Sequence, residues 1–400
     1  MMVFVKVLRS EKWIGIHTSQ AVSLMSIYEF SEQSCETAKE FIKQRFTDIL
    51  NINPWLCSRL VKCKVDGVKD VYLSYSEEVC DPSQYISFQV KDDVFQVNSI
   101  NEALSKVNGG VKSGEKCINK KEEKLCYLQV IENSVQTRLA ILFSLSHTLG
   151  DGHTCYNIWK MLDMNESVRK FEVERNLHFE DSVKNETNLT PFADVSIVGE
   201  MCARLKRGLG RRFRGAPPPV GYAYKLNEDA IAAQKALYNT GGSFVSTNDI
   251  ICTELFQLCK GGMKFAVNLR GRVSDVNENL AGNYQVVCPM NIKANENPLD
   301  FRARWSKVLN KESAAEVVSN ASYSISWTTF YHQVELPGAE HLMHLPIFNP
   351  KIYTTLGVPV CPELSVLIFK MSSKETGALI LAYSDVFTEE FFDSCELFEK

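Results

Sequence analysis

The stretch LAILFSLSHTLGDGHT, residues 139–154, runs from an apolar segment into a short polar one. Residues 139–145 are apolar at almost every position, which predicts a strand that is buried on both faces. His147, Asp151 and Gly152 follow directly, and the glycines around Asp151 predict a turn that leads into a helix over residues 154–163. The chain therefore brings an imidazole, a carboxylate and a glycine to the end of one buried strand.

The composition indicates a water-soluble globular protein rather than a fibrous or membrane protein. The chain has 400 residues, of which 45% are hydrophobic and 23% charged, and its formal net charge is −4. A length of roughly 100–200 residues per domain predicts two or three domains, or two large lobes. The net charge gives no indication of nucleic-acid binding, and no apolar run is long enough for a membrane span.

The cysteines and the N-terminal residues bear on the cellular compartment. The thirteen cysteines are scattered, odd in number and without a CxxC pair, so we expect most of them to be reduced and buried. The first residues, MMVFVKVLRSEKW, lack the pattern of a secretory leader. These observations predict a cytoplasmic protein.

A basic, proline-containing segment divides the chain. Residues 204–222 read RLKRGLGRRFRGAPPPVGY, which predicts an exposed crossing between two lobes, either as a solvated linker or as a contact for an anionic cofactor tail. We therefore expect an N-terminal lobe over residues 1–203, a linker over 204–225 and a C-terminal lobe over 226–400. Strands and helices alternate in both halves, so the predicted class is α/β, with mixed sheets and flanking helices.

The C-terminal half carries three further features. Residues 246–249 (STND) precede an apolar-periodic run and predict a helix start. Residues 264–272 (KFAVNLRGR) alternate as a strand, which places Asn268, Arg270 and Arg272 on one face. Gly282-Asn283 follows, and residues 364–370 and 378–384 read as strands.

The residues themselves leave two chemical roles open for His147. A histidine held at a strand end suits a general base, because its ordinary pKa is close to physiological pH. It also suits a metal ligand, together with Asp151 or His153. The surrounding glycines disfavour the one-turn spacing that a helical His–Asp metal site would use, so we expect no metal. As a structural alternative, His147 is a buried turn residue and Asp151 caps the next helix. Gly152 favours a functional site over this alternative, because glycine lets a ligand approach the backbone closely.

Five short motifs, taken in order, resemble those of the acyl-CoA-dependent BAHD acyltransferases. This family belongs to the superfamily of chloramphenicol acetyltransferase and peptide-synthetase condensation domains. The motifs are NPWLCSRL near residue 53, SHTLGDG at 146–152, STND at 246–249, VNLRGR at 267–272 with the later GN at 282–283, and Ser326-Trp327. Together they span the chain from about residue 20 to its end.

The sequence also departs from the family pattern. Asn268 stands where the family's D-x-R-x-R strand has aspartate, and QVELPG at 333–338 replaces the DFGWG motif. Ser146 stands where condensation domains usually carry a second histidine. The departures indicate a divergent branch and disfavour a peptide synthetase.

The resemblance implies two similar lobes of chloramphenicol acetyltransferase type, with a channel between them. His147 would act there as general base, moving an acyl group from acyl-CoA to a hydroxyl or amine acceptor. Acyl-CoA would be a co-substrate, with no permanently bound cofactor, and the enzyme would be a monomer. Asp151 would turn away from the channel and pair with Arg270 or, failing that, Arg272.

The resemblance also implies candidates for the remaining roles. Ser326, Trp327 or Asn283 would supply a hydrogen bond to the oxyanion of the intermediate. Ser246 and Thr247 would contact CoA from their helix start. His153 has no assigned role.

Three alternatives stay open beside this prediction. The chain could be a protein of the same fold that binds an acyl or hydrophobic ligand without turnover. It could be a condensation-type enzyme that uses carrier-bound thioesters. It could also be a metal-dependent hydrolase.

Overall fold

A computed structural model gives the fold of most of the chain. It describes residues 1–17, 21–31, 35–78, 81–96, 106–107, 111, 114–120, 122–189, 191, 202, 205–206, 208–211, 213–217, 219–239, 244–256, 259, 262–293, 295–316, 318, 322–347, 354–355, 358–359, 363–383 and 387–399. Within these ranges, no helix combines the length and the apolar character that crossing a membrane requires.

The described residues form strands and helices throughout both halves. The strands are β1 Met2–Lys6, β2 Ala21–Glu29, β3 Arg59–Val65, β4 Val68–Ser76, β5 Ile86–Val90, β6 Cys126–Glu132, β7 Arg138–Ser146, β8 Pro219–Lys225, β9 Met263–Asn268, β10 Gln285–Met290, β11 Ser322–Ser326, β12 Glu340–Pro346, β13 Thr354–Thr355, β14 Val358–Pro359, β15 Leu364–Lys370 and β16 Thr376–Tyr383. The α-helices are α1 Arg9–Glu11, α2 Glu36–Ile52, α3 Gly152–Lys160, α4 Phe179–Glu186, α5 Glu228–Tyr238, α6 Thr247–Phe256, α7 Pro298–Leu309 and α8 Glu389–Ser394. A π-helix, Lys12–His17, continues directly from α1.

Strand β7 lies inside a five-stranded sheet of order β12-β2-β7-β6-β5. Its alternate side chains enter two different cores: Ile141 and Phe143 pack in the core of the N-terminal lobe, and Ala140 and Leu142 pack in a second core. Burial on both faces, predicted from the apolar run, is confirmed. This explains why the run lacks the polar alternation of a half-exposed strand.

The second large sheet has six strands in the order β10-β9-β11-β15-β16-β8. It packs against the five-stranded sheet through the shared core, in which Leu142 lies with Ala223, Phe369 and Leu379. A three-stranded sheet, β1-β4-β3, and the two-stranded β13-β14 complete the sheets of the described residues. The mixed α/β class with flanking helices is confirmed.

The boundaries of the two lobes need two corrections. Strand β12, from the C-terminal part of the chain, pairs antiparallel with β2 and so belongs to the first large sheet. Residues 219–225, expected in an exposed linker over 204–225, form strand β8 at the edge of the second sheet, where Tyr222 and Ala223 are buried. Of residues 204–225, the four at 204, 207, 212 and 218 lie outside the described residues.

The motif NPWLCSRL near residue 53 covers a turn and the start of a strand. Pro54–Cys57 form a 3₁₀ turn, and the strand begins only at Arg59. Proline fits the first position of a helical turn because it needs no hydrogen bond from its nitrogen.

The cysteines are mainly free, as the sequence predicted. Ten of the described cysteines are free thiols, and six of these are buried. Cys57, by contrast, is disulfide-bonded.

Candidate active site

His147 lies one residue beyond the end of β7, in a tight turn. The turn closes with the Leu149 amide donating to the Ser146 carbonyl at 2.8 Å. His147 is 8% exposed, and its Nδ1 is buried without a hydrogen-bond partner among the described residues. Burial lowers the pKa of His147 to about 4, although the nearby Asp151 carboxylate opposes the shift. The imidazole is therefore neutral at neutral pH, the form that accepts a proton.

Asp151 caps helix α3 and forms a buried ion pair. Its Oδ1 accepts a hydrogen bond from the Thr154 amide at 3.0 Å, and its Oδ2 lies 2.7 Å from Arg270 Nη1 and accepts from the Tyr284 amide at 3.0 Å. Burial alone would raise the pKa of Asp151, but the charge and hydrogen bond of Arg270 outweigh it and lower the pKa. Both carboxylate oxygens are therefore engaged away from His147.

The rest of the Arg270 guanidinium binds the loop over residues 280–282, on the other side of the ion pair from Asp151. Its Nη2 donates to the carbonyls of Gly282 and Leu280 at 2.9 and 3.1 Å and to Thr154 Oγ1 at 3.1 Å. All its donors are thus bound in a site that is closed to solvent. The structure joins Asp151 to Arg270, which was the first candidate of the two arginines.

The strand read over residues 264–272 ends earlier than expected. Strand β9 stops at Asn268, and a turn follows in which Gly271 has a φ of +66° and its amide donates to the Val276 carbonyl. Arg270 is therefore a turn residue and does not share a strand face with Arg272, which is exposed. Glycine at 271 permits the left-handed conformation that ends the strand.

Gly282 and Asn283 form the other wall of this buried region. The backbone carbonyl of Gly282 accepts from the Asp151 amide at 3.2 Å, and the backbone carbonyl of Asn283 accepts from Ser10 Oγ at 2.9 Å. Asn283 is fully buried, and neither polar atom of its side chain has a hydrogen-bond partner among the described residues. Buried side-chain amides normally find hydrogen-bond partners, so this unpaired amide is unusual.

A second buried ion pair, Glu11–Arg175, lies in the same region and was missed by sequence reasoning. Arg175 Nε lies 2.9 Å from Glu11 Oε1, and the two side chains are 1% and 0% exposed. The residues lie 164 positions apart in stretches without a motif, so no local pattern signals the pair.

Gly152 lies against an aromatic ring rather than an open cleft. A Cβ at this position would lie 2.8 Å from Trp327 Nε1, so the indole occupies the approach that we expected a ligand to use. Trp327 also packs edge-to-face on Tyr156, with ring centroids 5.8 Å apart. Ser326 shares a hydrogen bond with the Thr328 hydroxyl at 3.1 Å.

A cavity of about 30 Å³ lies beside this ring, enough for about one water molecule. Asp151, His153, Asn268, Ser326 and Trp327 are among its lining residues. His147 is not, so the channel expected around His147 stays a prediction.

His153 pairs with a carboxylate at the edge of the site. Its Nε2 lies 2.7 Å from Glu278 Oε2, and its ring packs edge-to-face on Phe330. Burial and the charge of Arg270 lower the pKa of His153, opposed by Asp151 and Glu278.

The helix start at residues 246–249 forms a capping box. The Asp249 backbone amide donates to Ser246 Oγ at 3.2 Å, and the Ser246 backbone amide donates to Asp249 Oδ2 at 2.8 Å. Ser246 Oγ also donates to Asp249 Oδ2, at 2.6 Å. Helix α6 therefore begins where the sequence predicted, at Thr247. The hydroxyl of Ser246 is used within the cap, and Thr247 is half-buried.

Residues 333–338, QVELPG, serve as packing. Val334 and Leu336 are buried in the core of the N-terminal lobe. Between them, the Glu335 amide donates to Asp163 Oδ2 at 3.0 Å, which ties the segment to the turn after α3.

No group of three or more His, Cys, Asp or Glu side chains within the described ranges is placed to hold a metal ion. Asp151, one of the two residues considered as a ligand beside His147, uses both its oxygens in the contacts above.

Comparison with known proteins gives matches in structure but not in sequence. No protein-family model matches the chain, and no curated protein matches it in sequence. The first condensation domain of the calcium-dependent antibiotic synthetase matches with a TM-score of 0.61 and 9% identity over 98% of this chain and 93% of its own. TRI101 of F. graminearum, solved with ethyl coenzyme A, matches with a TM-score of 0.57 and 14% identity over 98% and 99%. Vinorine synthase matches with a TM-score of 0.60 and 13% identity over 99% and 94%.

These likenesses show the fold. The chain has the two-lobed fold of chloramphenicol acetyltransferase type that condensation domains, TRI101 and vinorine synthase share. It spans nearly the whole of each, so the likeness extends over both lobes.

Proposed function

We propose that the protein transfers an acyl group from acyl-CoA to a hydroxyl or amine of a small molecule, with His147 as general base. The observation that carries the proposal is the arrangement of His147 and Asp151. The imidazole is neutral and is held at the end of a buried strand, and the carboxylate beside it is bound to Arg270. A general base needs this neutral form and a fixed position.

The reaction would proceed through a tetrahedral intermediate. His147 takes the proton from the acceptor as its oxygen or nitrogen bonds to the thioester carbonyl carbon. The carbon–sulfur bond then breaks, and the protonated imidazole returns the proton to the CoA thiolate. The products are the acylated acceptor and free CoA thiol, and the enzyme is regenerated.

The intermediate's oxyanion requires a hydrogen-bond donor. Asn283 is a candidate, because its buried side-chain amide has no partner among the described residues. Ser326 and Trp327 remain candidates beside the small cavity. For CoA we propose Thr247, with Ser246 as the cap that orders the start of α6.

The test is thioester turnover with purified protein. A panel of acyl-CoAs is incubated with pooled alcohols and amines, and the release of free thiol is followed. We expect release that requires both an acyl-CoA and an acceptor. The same release without an acceptor would instead indicate hydrolysis. If no acyl-CoA of the panel releases free thiol, the proposal is contradicted.

A condensation-type reaction is the second candidate, because a condensation domain is among the structural neighbours. Ser146, at the position of the second histidine, is buried and shares a hydrogen bond with Thr148 at 2.9 Å. A serine supplies no second imidazole at this position, which favours CoA as the donor. Carrier-bound acyl thioesters, assayed beside the acyl-CoAs, separate the two candidates.

The ten free thiols among the described cysteines favour the cytoplasm as the site of this reaction. We also propose a monomer of two lobes, joined between residues 204 and 218, with β12 returning to the first lobe. Size-exclusion chromatography with light scattering tests the monomer.

A further inference from the structure

We propose that Glu11 and Arg175 are positioning residues for His147, acting through the loop that carries it. This inference rests on the proposed function, because it assigns the pair a part in that reaction. Neither residue contacts His147 directly, so the argument concerns the backbone on both sides of it.

Arg175 binds the midpoint of the loop from His147 to Asp151, the catalytic loop. Its Nη2 donates to the carbonyl of Leu149 at 2.9 Å, and Leu149 lies two residues after His147 and two before Asp151. Its Nη1 donates to the carbonyl of Ala281 at 2.7 Å. One planar guanidinium therefore fixes the loop of His147 relative to the loop of Gly282, a geometry that the lysine ammonium does not reproduce.

Glu11 completes the arrangement from the N-terminal segment. Its Oε1 accepts from the backbone amide of Asn283 at 3.1 Å as well as from Arg175, and its Oε2 accepts from the backbone amide of Leu8 at 2.8 Å. The π-helix that follows packs on the catalytic loop, because a Cβ at Gly15 would lie 3.0 Å from the carbonyl carbon of His147.

Two buried ion pairs thus enclose Gly282. Asp151–Arg270 binds its carbonyl, and Glu11–Arg175 packs against its Cα, where an added Cβ would lie 3.1 Å from Arg175 Nε and Glu11 Oε1. Buried ion pairs are often no more stabilising than apolar side chains of similar volume. We therefore infer that the second pair serves the placement of the loop.

The experiment compares three variants. Arg175→Lys keeps the charge opposite Glu11 but loses the fork that reaches Leu149. The double variant Glu11→Leu/Arg175→Met removes both charges and leaves no buried ion unpaired. Arg304→Lys is the matched control. Arg304 lies in helix α7 and pairs with Glu296 in the loop before that helix and with Glu316, so its contacts lie outside residues 147–155 and 281–284.

Turnover separates positioning from stability. For Arg175→Lys and for the double variant we expect kcat to fall roughly 10-fold to 100-fold, because small displacements of a catalytic group are costly. KM for acyl-CoA should stay within about twofold, since ground-state binding is unaffected. The control should keep both values. If the folded double variant has the kcat of the wild type, the pair is only structural and the inference is wrong.

A second readout does not depend on turnover. Hydrogen exchange of the amides in residues 147–155 should be faster in Arg175→Lys than in the wild type and unchanged in Arg304→Lys. Unchanged exchange in Arg175→Lys would overturn the inference. If the wild type turns over no thioester, the proposed function fails, and exchange still decides whether Arg175 holds the loop.

Discussion

Replacing Asp151 by asparagine removes the charge of the buried pair and leaves most of the surrounding geometry in place. Asparagine is a good helix cap, so Oδ1 can keep its bond from the Thr154 amide. The new amide group, however, presents its own donors to Arg270 and to the Tyr284 amide, where Oδ2 now accepts two hydrogen bonds. The guanidinium of Arg270, whose side chain is 0% exposed, is then buried without a counterion.

An uncompensated buried charge costs about 3–5 kcal/mol of unfolding free energy. We expect that loss in Asp151→Asn, measured by urea unfolding followed by circular dichroism. Glu36→Gln is the control, because Glu36 is 55% exposed in its pair with Lys39 and exposed pairs contribute at most about 1 kcal/mol.

A double-mutant cycle isolates the pair itself. Arg270→Met removes the orphaned charge, so the double variant Asp151→Asn/Arg270→Met should lose less than the sum of the single losses, by about 1–3 kcal/mol. If Asp151→Asn costs no more than Glu36→Gln, or the two losses simply add, the buried-pair reasoning is refuted.

Three further predictions follow from the contacts of the site. Gly152→Ala should lower the free energy of unfolding by about 1–3 kcal/mol, because the added methyl group displaces the Trp327 indole. The double variant Gly152→Ala/Trp327→Phe should recover part of this loss in the same unfolding assay, and no recovery would contradict the contact. The pKa of His147, lowered to about 4, lies below that of an unfolded histidine, about 6.5, so the unfolded state binds more protons between these two values. The free energy of unfolding therefore falls as the pH falls from about 6.5 towards 4, and at pH 5 the loss is about 2 kcal/mol. His147→Gln should abolish this part of the acid sensitivity. Tyr156→Phe removes the hydroxyl that lies 3.0 Å from His344 Nε2, which should cost about 1–3 kcal/mol in thermal or urea unfolding, whereas a neutral result would mean that the ring nitrogen needs no partner.

The local sequence pattern was sufficient to predict the strand and the helix start that carry the candidate site residues. Residues 139–145 are apolar at almost every position because β7 lies between β2 and β6, with cores on both sides. The capping box at Ser246 and Asp249 likewise depends on neighbours within one helical turn, so its residue types predict it.

Contacts between distant residues were not predictable in the same way. β12 joins the sheet of the other lobe through backbone hydrogen bonds, which any strand sequence can make. Glu11 and Arg175 carry no local signature, and their pairing follows only from how the two loops meet. The end of β9, by contrast, could have been predicted from the local sequence, because Gly271 within residues 264–272 indicates a turn before Arg272.

The most direct test of the central claim is acceptor-dependent release of CoA thiol by three proteins: the wild type, His147→Ala and His178→Ala. His178 is the control, since its side chain is 88% exposed and has only a loose pair with Asp181. General-base catalysis is typically worth about 10²–10⁴-fold, so we expect His147→Ala to lose that factor in kcat while His178→Ala keeps the rate of the wild type. Equal turnover by the wild type and His147→Ala would contradict the account.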